Sequence, residues 1–253
     1  GMNGSGLALP YTFAGGSYPG GGTCGLTLAG ANTTCTIVVE YDPTVVSGGD
    51  NDQIDINYND GVGGQVVSRA VTGIAVAPAT LTISDTSYDY GTLAVGATGT
   101  KVFTINNTGG FAATVMSESG IGGVFDYTAP GYPGGAESCG VSLPAGGSCT
   151  IEIAFTPAIA GIVTDTIDFS YNDGVNVQSV QNTISGRGAN PAVITVSGAD
   201  PYDYGTHPIG STTLQTVTLT NTGGVQATGI NVTGMAAPFQ YEGGGAYPGA
   251  SGS

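Results

Sequence analysis

Three observations predict an all-β fold of tandem sandwich repeats with a period of about 114 residues: a turn-rich composition, short alternating segments and an internal repeat. Gly 46 and Pro 13 in 253 residues, with no Trp, describe many short strands joined by turns, because glycine and proline interrupt both helices and sheets. A hydrophobic content of 40% suffices for packed cores. The charged fraction of 8% therefore implies a neutral polar surface, since disorder couples low hydrophobicity to high charge.

The repeat decides the organisation. Tyr18-Pro19-Gly20-Gly21 recurs 114 positions later as Tyr132-Pro133-Gly134-Gly135 and a further 115 positions on as Tyr247-Pro248-Gly249. Cys24-Gly25 returns as Cys139-Gly140, Cys35-Thr36-Ile37 as Cys149-Thr150-Ile151, and Tyr58-Asn59-Asp60-Gly61-Val62 as Tyr171-Asn172-Asp173-Gly174-Val175. Tyr88-Asp89-Tyr90-Gly91-Thr92 is matched by Tyr202-Asp203-Tyr204-Gly205-Thr206, and Asn107-Thr108-Gly109-Gly110 by Asn221-Thr222-Gly223-Gly224. Matches at an offset of about 114 residues place the later half of a unit at 1–78, a complete unit at 79–190 and the early half of another at 191–253.

In the complete unit, strands are read at 80–84, 99–106, 112–117, 148–155, 161–171 and 177–186. Lys101-Val102-Phe103-Thr104-Ile105 and Thr150-Ile151-Glu152-Ile153-Ala154-Phe155 alternate apolar with polar, as half-buried antiparallel strands do. Asn59-Asp60-Gly61 and Asn172-Asp173-Gly174 read as hairpin turns, because these residue types tolerate positive φ. About seven short strands in about 100 residues is the pattern of an immunoglobulin-like sandwich.

The complete unit carries Tyr90-Gly91-Thr92 near its start, then Phe103-Thr104-Ile105-Asn106-Asn107-Thr108-Gly109, Cys149-Thr150-Ile151 leading to Phe155-Thr156-Pro157, and a closing Ile184-Ser185-Gly186-Arg187-Gly188. This ordered set resembles the choice-of-anchor D repeat of bacterial surface proteins and is similar to the abnormal-spindle/Hydin-type immunoglobulin-like domain. The resemblance implies an extracellular repeat module of a cell-anchored chain, with no catalytic residues to carry over.

Charge excludes several functions. Lys+Arg 3 against Asp+Glu 18 gives a net charge of -15, and the cations Arg69, Lys101 and Arg187 are scattered. Nucleic-acid binding needs a patch of phosphate-neutralising cations, and anionic membranes repel such a chain. No apolar run approaches the roughly 20 residues that span a bilayer.

Cys24 and Cys35 lie 11 residues apart and Cys139 and Cys149 lie 10 apart, one pair at the equivalent place of each repeat. A metal or redox site is one reading. The spacing is not that of zinc ligands, however, and the sole histidine, His207, falls elsewhere in the unit. A local disulfide in each repeat is the expectation, and with it an oxidising, extracellular or cell-surface location.

Catalysis is not expected. His207 precedes Pro208 with no nucleophile beside it, and no Ser or Thr sits in a nucleophile-elbow context. No cofactor is expected. The best metal candidate is calcium on Asp50, Asp52 and Asp55, a carboxylate cluster with no counterpart at Ala160 to Asp165. Tyr18, Tyr127, Tyr132, Tyr241 and Tyr247 lie in Gly-rich loops. As exposed aromatics they are binding-surface candidates for a carbohydrate or host protein, the adhesin-type alternative. Otherwise they cover the sandwich edge. The expected role is structural. Half-units flanking a whole one predict pairing with other copies, head to tail by strand complementation, and growth into a fibre. Two alternatives are continuation of a longer array and pairing of the two halves of one chain.

Overall fold

A computed structural model describes residues 1–30, 32–128, 131–132, 138–244 and 247. Of the repeated Tyr-Pro-Gly motifs, Pro133 to Gly135 and Pro248 with Gly249 lie outside the described residues. The protein is all-β, and among the described residues the helical elements are two 3-10 turns, Ala14–Gly16 and Glu242–Gly244.

The chain opens with β1 (Asn3–Ser5), β2 (Tyr11–Phe13), β3 (Val39–Tyr41), β4 (Ser47–Asn59) and β5 (Gly64–Ala75). Antiparallel β1, β4 and β5 form one sheet, and β2 pairs with β3 in another. Two tyrosines tie these sheets together. The Tyr11 hydroxyl donates to the Asp50 carbonyl at 3.0 Å, and the Tyr41 hydroxyl to the Asp50 carboxylate at 2.6 Å.

Next come β6 (Leu81–Ile83), β7 (Ser87–Ala94), β8 (Gly99–Asn107), β9 (Ala113–Ser119), β10 (Phe125–Tyr127), β11 (Ser142–Leu143), β12 (Ser148–Phe155), β13 (Gly161–Asn172) and β14 (Val177–Ala189). They form a two-layer sandwich. One sheet runs β10-β12-β8-β6 and the other β11-β9-β13-β14-β7, antiparallel except where β7 lies parallel to β14. Alternation decides which side chains enter: along β12, Cys149, Ile151, Ile153 and Phe155 are buried while Thr150, Glu152 and Ala154 are half-buried. Phe103 and Ile105 of β8 meet them, and Ile167, Phe169 and Ile184 close the core from the other sheet. Phe155 stacks on Phe125 at 4.8 Å and lies against Gly186, where an added Cβ would come within 2.4 Å of its ring. Gly186 is therefore required for the two sheets to approach.

Strands β6, β8, β9, β12, β13 and β14 occupy the segments that the alternation marks. Strands β7, β10 and β11 were not expected. β10 and β11 are too short to show a period, and β7 breaks its own at Gly91, whose φ is 72° and beside which the pairing to β14 slips. The hairpin turns correct one expectation. Within these two turns only the glycine takes positive φ, Gly61 at 99° and Gly174 at 102°. The Asn and Asp act as acceptors instead: Asp173 Oδ1 receives the Val175 and Asn176 amides at 2.7 and 2.6 Å, as Asp60 receives those of Val62 and Gly63 at 2.8 and 2.9 Å. These bonds hold both carboxyls below the usual Asp range.

The last strands, β15 (Ile194–Val196) and β16 (Leu219–Asn221), pair with each other as β6 pairs with β8.

Candidate functional site

The functional question is set by β3. In the sandwich, its counterpart β12 lies between two strands, with an eight-residue ladder to β8 from Ser148↔Asn106 to Phe155↔Gly99. By the repeat, Cys35, Ile37, Val39 and Tyr41 stand where Cys149, Ile151, Ile153 and Phe155 stand. Yet among the described residues β3 has a ladder on one side only, to β2. Val38 faces that side, accepting from the Ala14 amide at 3.1 Å and donating to the Pro19 carbonyl at 2.9 Å. Backbone groups alternate along a strand, so those of Ile37, Val39 and Tyr41 turn to the open edge.

Beside that edge opens a cleft of about 660 Å³ lined by Met2, Tyr18, Leu26, Leu28, Ile37, Ile56, Tyr58 and Val67. Phe103 and Ile105 fill the corresponding position of the sandwich and are 0% exposed. Leu28 is 49% exposed, whereas Leu143, at its place in the sandwich, is 4% exposed. Unpaired backbone beside an apolar cleft is a template for another strand.

The segment 213–221 repeats 99–107, so Val217 and Leu219 stand where Phe103 and Ile105 stand. Both are exposed, at 52% and 38%. Asn107 makes five side-chain bonds: its Oδ1 accepts from the Thr80 and Gly109 amides, and its Nδ2 donates to the carbonyls of Phe111, Leu143 and Pro144. Asn221 keeps three of these, from Val193 and Gly223 and to Val225. The two it lacks are the bonds to the loop after the first cysteine. In the first unit that loop is Leu28-Ala29. Both asparagines were visible in the sequence as repeated motifs, and the clasp that Asn107 makes was not, because its partners lie 36 and 37 residues away.

The cysteines pair within each unit, Cys24 with Cys35 and Cys139 with Cys149, both at a Cα separation of 4.8 Å. The tyrosines divide. Tyr127 and Tyr132 pack against the sandwich core; their hydroxyls donate to Glu118 at 2.6 Å and to the Gly140 carbonyl at 2.9 Å. Burial raises both hydroxyls, Tyr132 to about 12, and raises the Glu118 carboxyl above the usual carboxylate range. Tyr18 sits edge-on to Phe13 at 5.6 Å, and Tyr241 faces Tyr247 at 6.1 Å. The hydroxyls of Tyr18 and Tyr241 are buried without a partner among the described residues.

Asp50, Asp52 and Asp55 do not form an oxygen cage. All three lie on β4, where Asp50 and Asp52 share one face and Asp55 takes the other. Asp50 receives Tyr41 and Ser47, Asp52 the amide of Ala8, and Asp55 Gln53 and Ser68. The Ser47 and Tyr41 hydroxyls hold the Asp50 carboxyl below its usual range, and the same Asp50 bond pushes Tyr41 up to about 12. Among the described residues no three His, Cys, Asp or Glu converge on a point that could hold a metal. His207 is exposed, with Nε2 2.6 Å from the Tyr204 carbonyl.

Two packed sheets with alternating inward strands define the class of residues 79–187 as an immunoglobulin-like β-sandwich. That segment matches the family described as HYDIN/CFA65/VesB-like, Ig-like domain. No curated protein matches the chain. Among solved structures, the chain is similar to the ASH/PapD-like domain 7 of human CEP192 (16% identity, 45% of this chain and 88% of that one, TM-score 0.35). A protein of unknown function from Porphyromonas gingivalis W83 is similar at 15% identity, over 60% of this chain and 76% of that one, with a TM-score of 0.33. The Vibrio cholerae VesB protease is similar at 19% identity, over 42% of this chain and 31% of that one, with a TM-score of 0.33.

Proposed function

We propose that this chain is an extracellular structural module, a subunit of a surface fibre or filament in which units join head to tail by strand complementation. The observation that carries the reading is the one-sided pairing of β3 beside an apolar cleft. An immunoglobulin-like sandwich, two disulfides and the resemblance to choice-of-anchor D repeats of bacterial surface proteins support it. Tyr127 and Tyr132 already spend their hydroxyls inside the fold, which favours a covering role over ligand capture.

Light scattering of the oxidised chain over a range of concentrations tests this. The native mass is expected to climb in multiples of 24.8 kDa while the reduced, denatured chain stays at 24.8 kDa, with linear particles in electron micrographs. A single 24.8 kDa particle at every concentration contradicts it.

A further inference from the structure

We infer that the repeated Asn-Thr-Gly-Gly turn, at 107–110 and again at 221–224, is a joint that locks consecutive repeats at a fixed mutual orientation, so that they move as one stiff body. The inference concerns contacts inside one chain and stands whether or not copies join head to tail. The segments between repeats are short: β5 ends at Ala75 and β6 begins at Leu81, while β14 ends at Ala189 and β15 begins at Ile194. Joined units move relative to one another by default, unless the connection itself is tied down.

Both turns tie it in the same way. The Gly110 amide donates to the Ala77 carbonyl at 3.1 Å, and the Gly224 amide to the Asn190 carbonyl at 2.9 Å. The Thr108 amide and hydroxyl donate to the Thr80 carbonyl at 2.8 and 3.1 Å, and those of Thr222 to the Val193 carbonyl at 2.8 and 3.2 Å. The Asn107 and Asn221 side chains accept from the Thr80 and Val193 amides, each at 3.2 Å. Glycine permits the approach. A Cβ on Gly109 would come within 2.1 Å of the Pro78 carbonyl oxygen, and one on Gly223 within 2.1 Å of that of Pro191. The two prolines fix φ where the chain crosses the turn.

The tie also reaches the preceding repeat. The Ala189 carbonyl accepts from the Val95 amide of the sandwich at 2.8 Å, while the next carbonyl, that of Asn190, accepts from Gly224. Adjacent residues are thus held by different repeats. At the earlier joint Ala75 pairs with Ser47 of β4 and Ala77 is held by Gly110, which leaves Val76 between them. Val76 packs on the turn, its Cβ 3.0 Å from where a Gly110 Cβ would stand. A single residue between two anchors offers only its own φ and ψ as a hinge, and this contact restricts both.

The test is pulsed electron-electron distance measurement on the full chain, with excess unlabelled chain to dilute contacts between copies. Spin labels at Val66→Cys and Thr183→Cys span the earlier joint, and labels at Val102→Cys and Thr183→Cys give the width inside the sandwich; all three side chains are exposed. The width across the joint is expected to lie within about twofold of the width inside the sandwich. A Gly-Ser insertion of about four residues after Val76, a coil of roughly 11 Å, should broaden it on the order of threefold. A distribution across the unmodified joint as broad as that of the insertion overturns the inference. Gly109→Ala is expected to broaden the distribution across the joint while the sandwich pair keeps its width. A distribution that stays narrow overturns the turn as the cause. If Gly109→Ala disturbs the sandwich pair as well, hydrogen exchange in the unmodified chain decides. The Gly110 and Gly224 amides should exchange on the order of a hundredfold slower than an open chain, and open-chain rates at both would overturn the joint. Association, read separately by light scattering, is left untouched by either result.

Discussion

The Asn107 side-chain amide donates to the Leu143 carbonyl at 3.1 Å, joining β8 of one sheet to β11 of the other through a side chain that is 1% exposed. A buried amide that satisfies five groups is costly to remove, because each partner left unpaired carries its own desolvation penalty. Asn107→Ala is expected to lower the stability of the sandwich by about 2–4 kcal/mol in chemical denaturation. A change near zero would mean that the clasp is incidental.

The Cys139–Cys149 disulfide closes a short loop beside the sandwich edge. Replacing both cysteines by serine is expected to cost about 2–3 kcal/mol on the chain-entropy estimate for a loop of this length. Under reducing conditions the unmodified chain should approach the stability of the variant. Equal stability of oxidised and reduced protein would contradict this.

Asp173 has its carboxyl held low by the Asn176 and Val175 amides. A depressed acid stabilises the fold fully above its unfolded value, about 3.9 for Asp, and loses that contribution as pH falls through the lower folded value. Asp173→Ala is therefore expected to lower the thermal midpoint at neutral pH, with the gap from the unmodified protein narrowing below about pH 4. A gap that widens with acidification would reverse the sign of the linkage.

Copies of this chain repel one another, since each carries a net charge of -15. The proposed contact is apolar and backbone in character, so added salt screens the repulsion without weakening the contact. Association is expected to strengthen as ionic strength rises from about 0.01 M to about 0.15 M in sedimentation velocity runs. Weakening with salt would point to an ion-paired contact.

How much was legible follows from what each residue does. The long strands around Phe103, Ile151 and Phe169 show in the sequence because every second side chain enters the core. β7 was missed because its partner is parallel and its alternation is broken at Gly91. The acidic stretch of Asp50, Asp52 and Asp55 looks like a metal site in one dimension. The pleat sends neighbours at odd spacing to opposite faces, and hydroxyls from Tyr41 and Ser47 claim Asp50. The sequence read Tyr127 and Tyr132 as loop residues; Tyr127 instead ends β10, and both fold back onto the core through Glu118 and Gly140, which approach only in three dimensions. The open edge of β3 is likewise a fact of pairing, although the residues that create it were visible in the repeat.

Hydrogen exchange at the backbone amides of Ile37, Val39 and Tyr41 reads the open edge itself, with Ile151 and Ile153 of β12 as internal references. At concentrations where the chain associates, these amides should become protected toward the level of the references and lose that protection on dilution. Fast exchange at every concentration, or protection that dilution does not remove, would mean that no second copy pairs with β3.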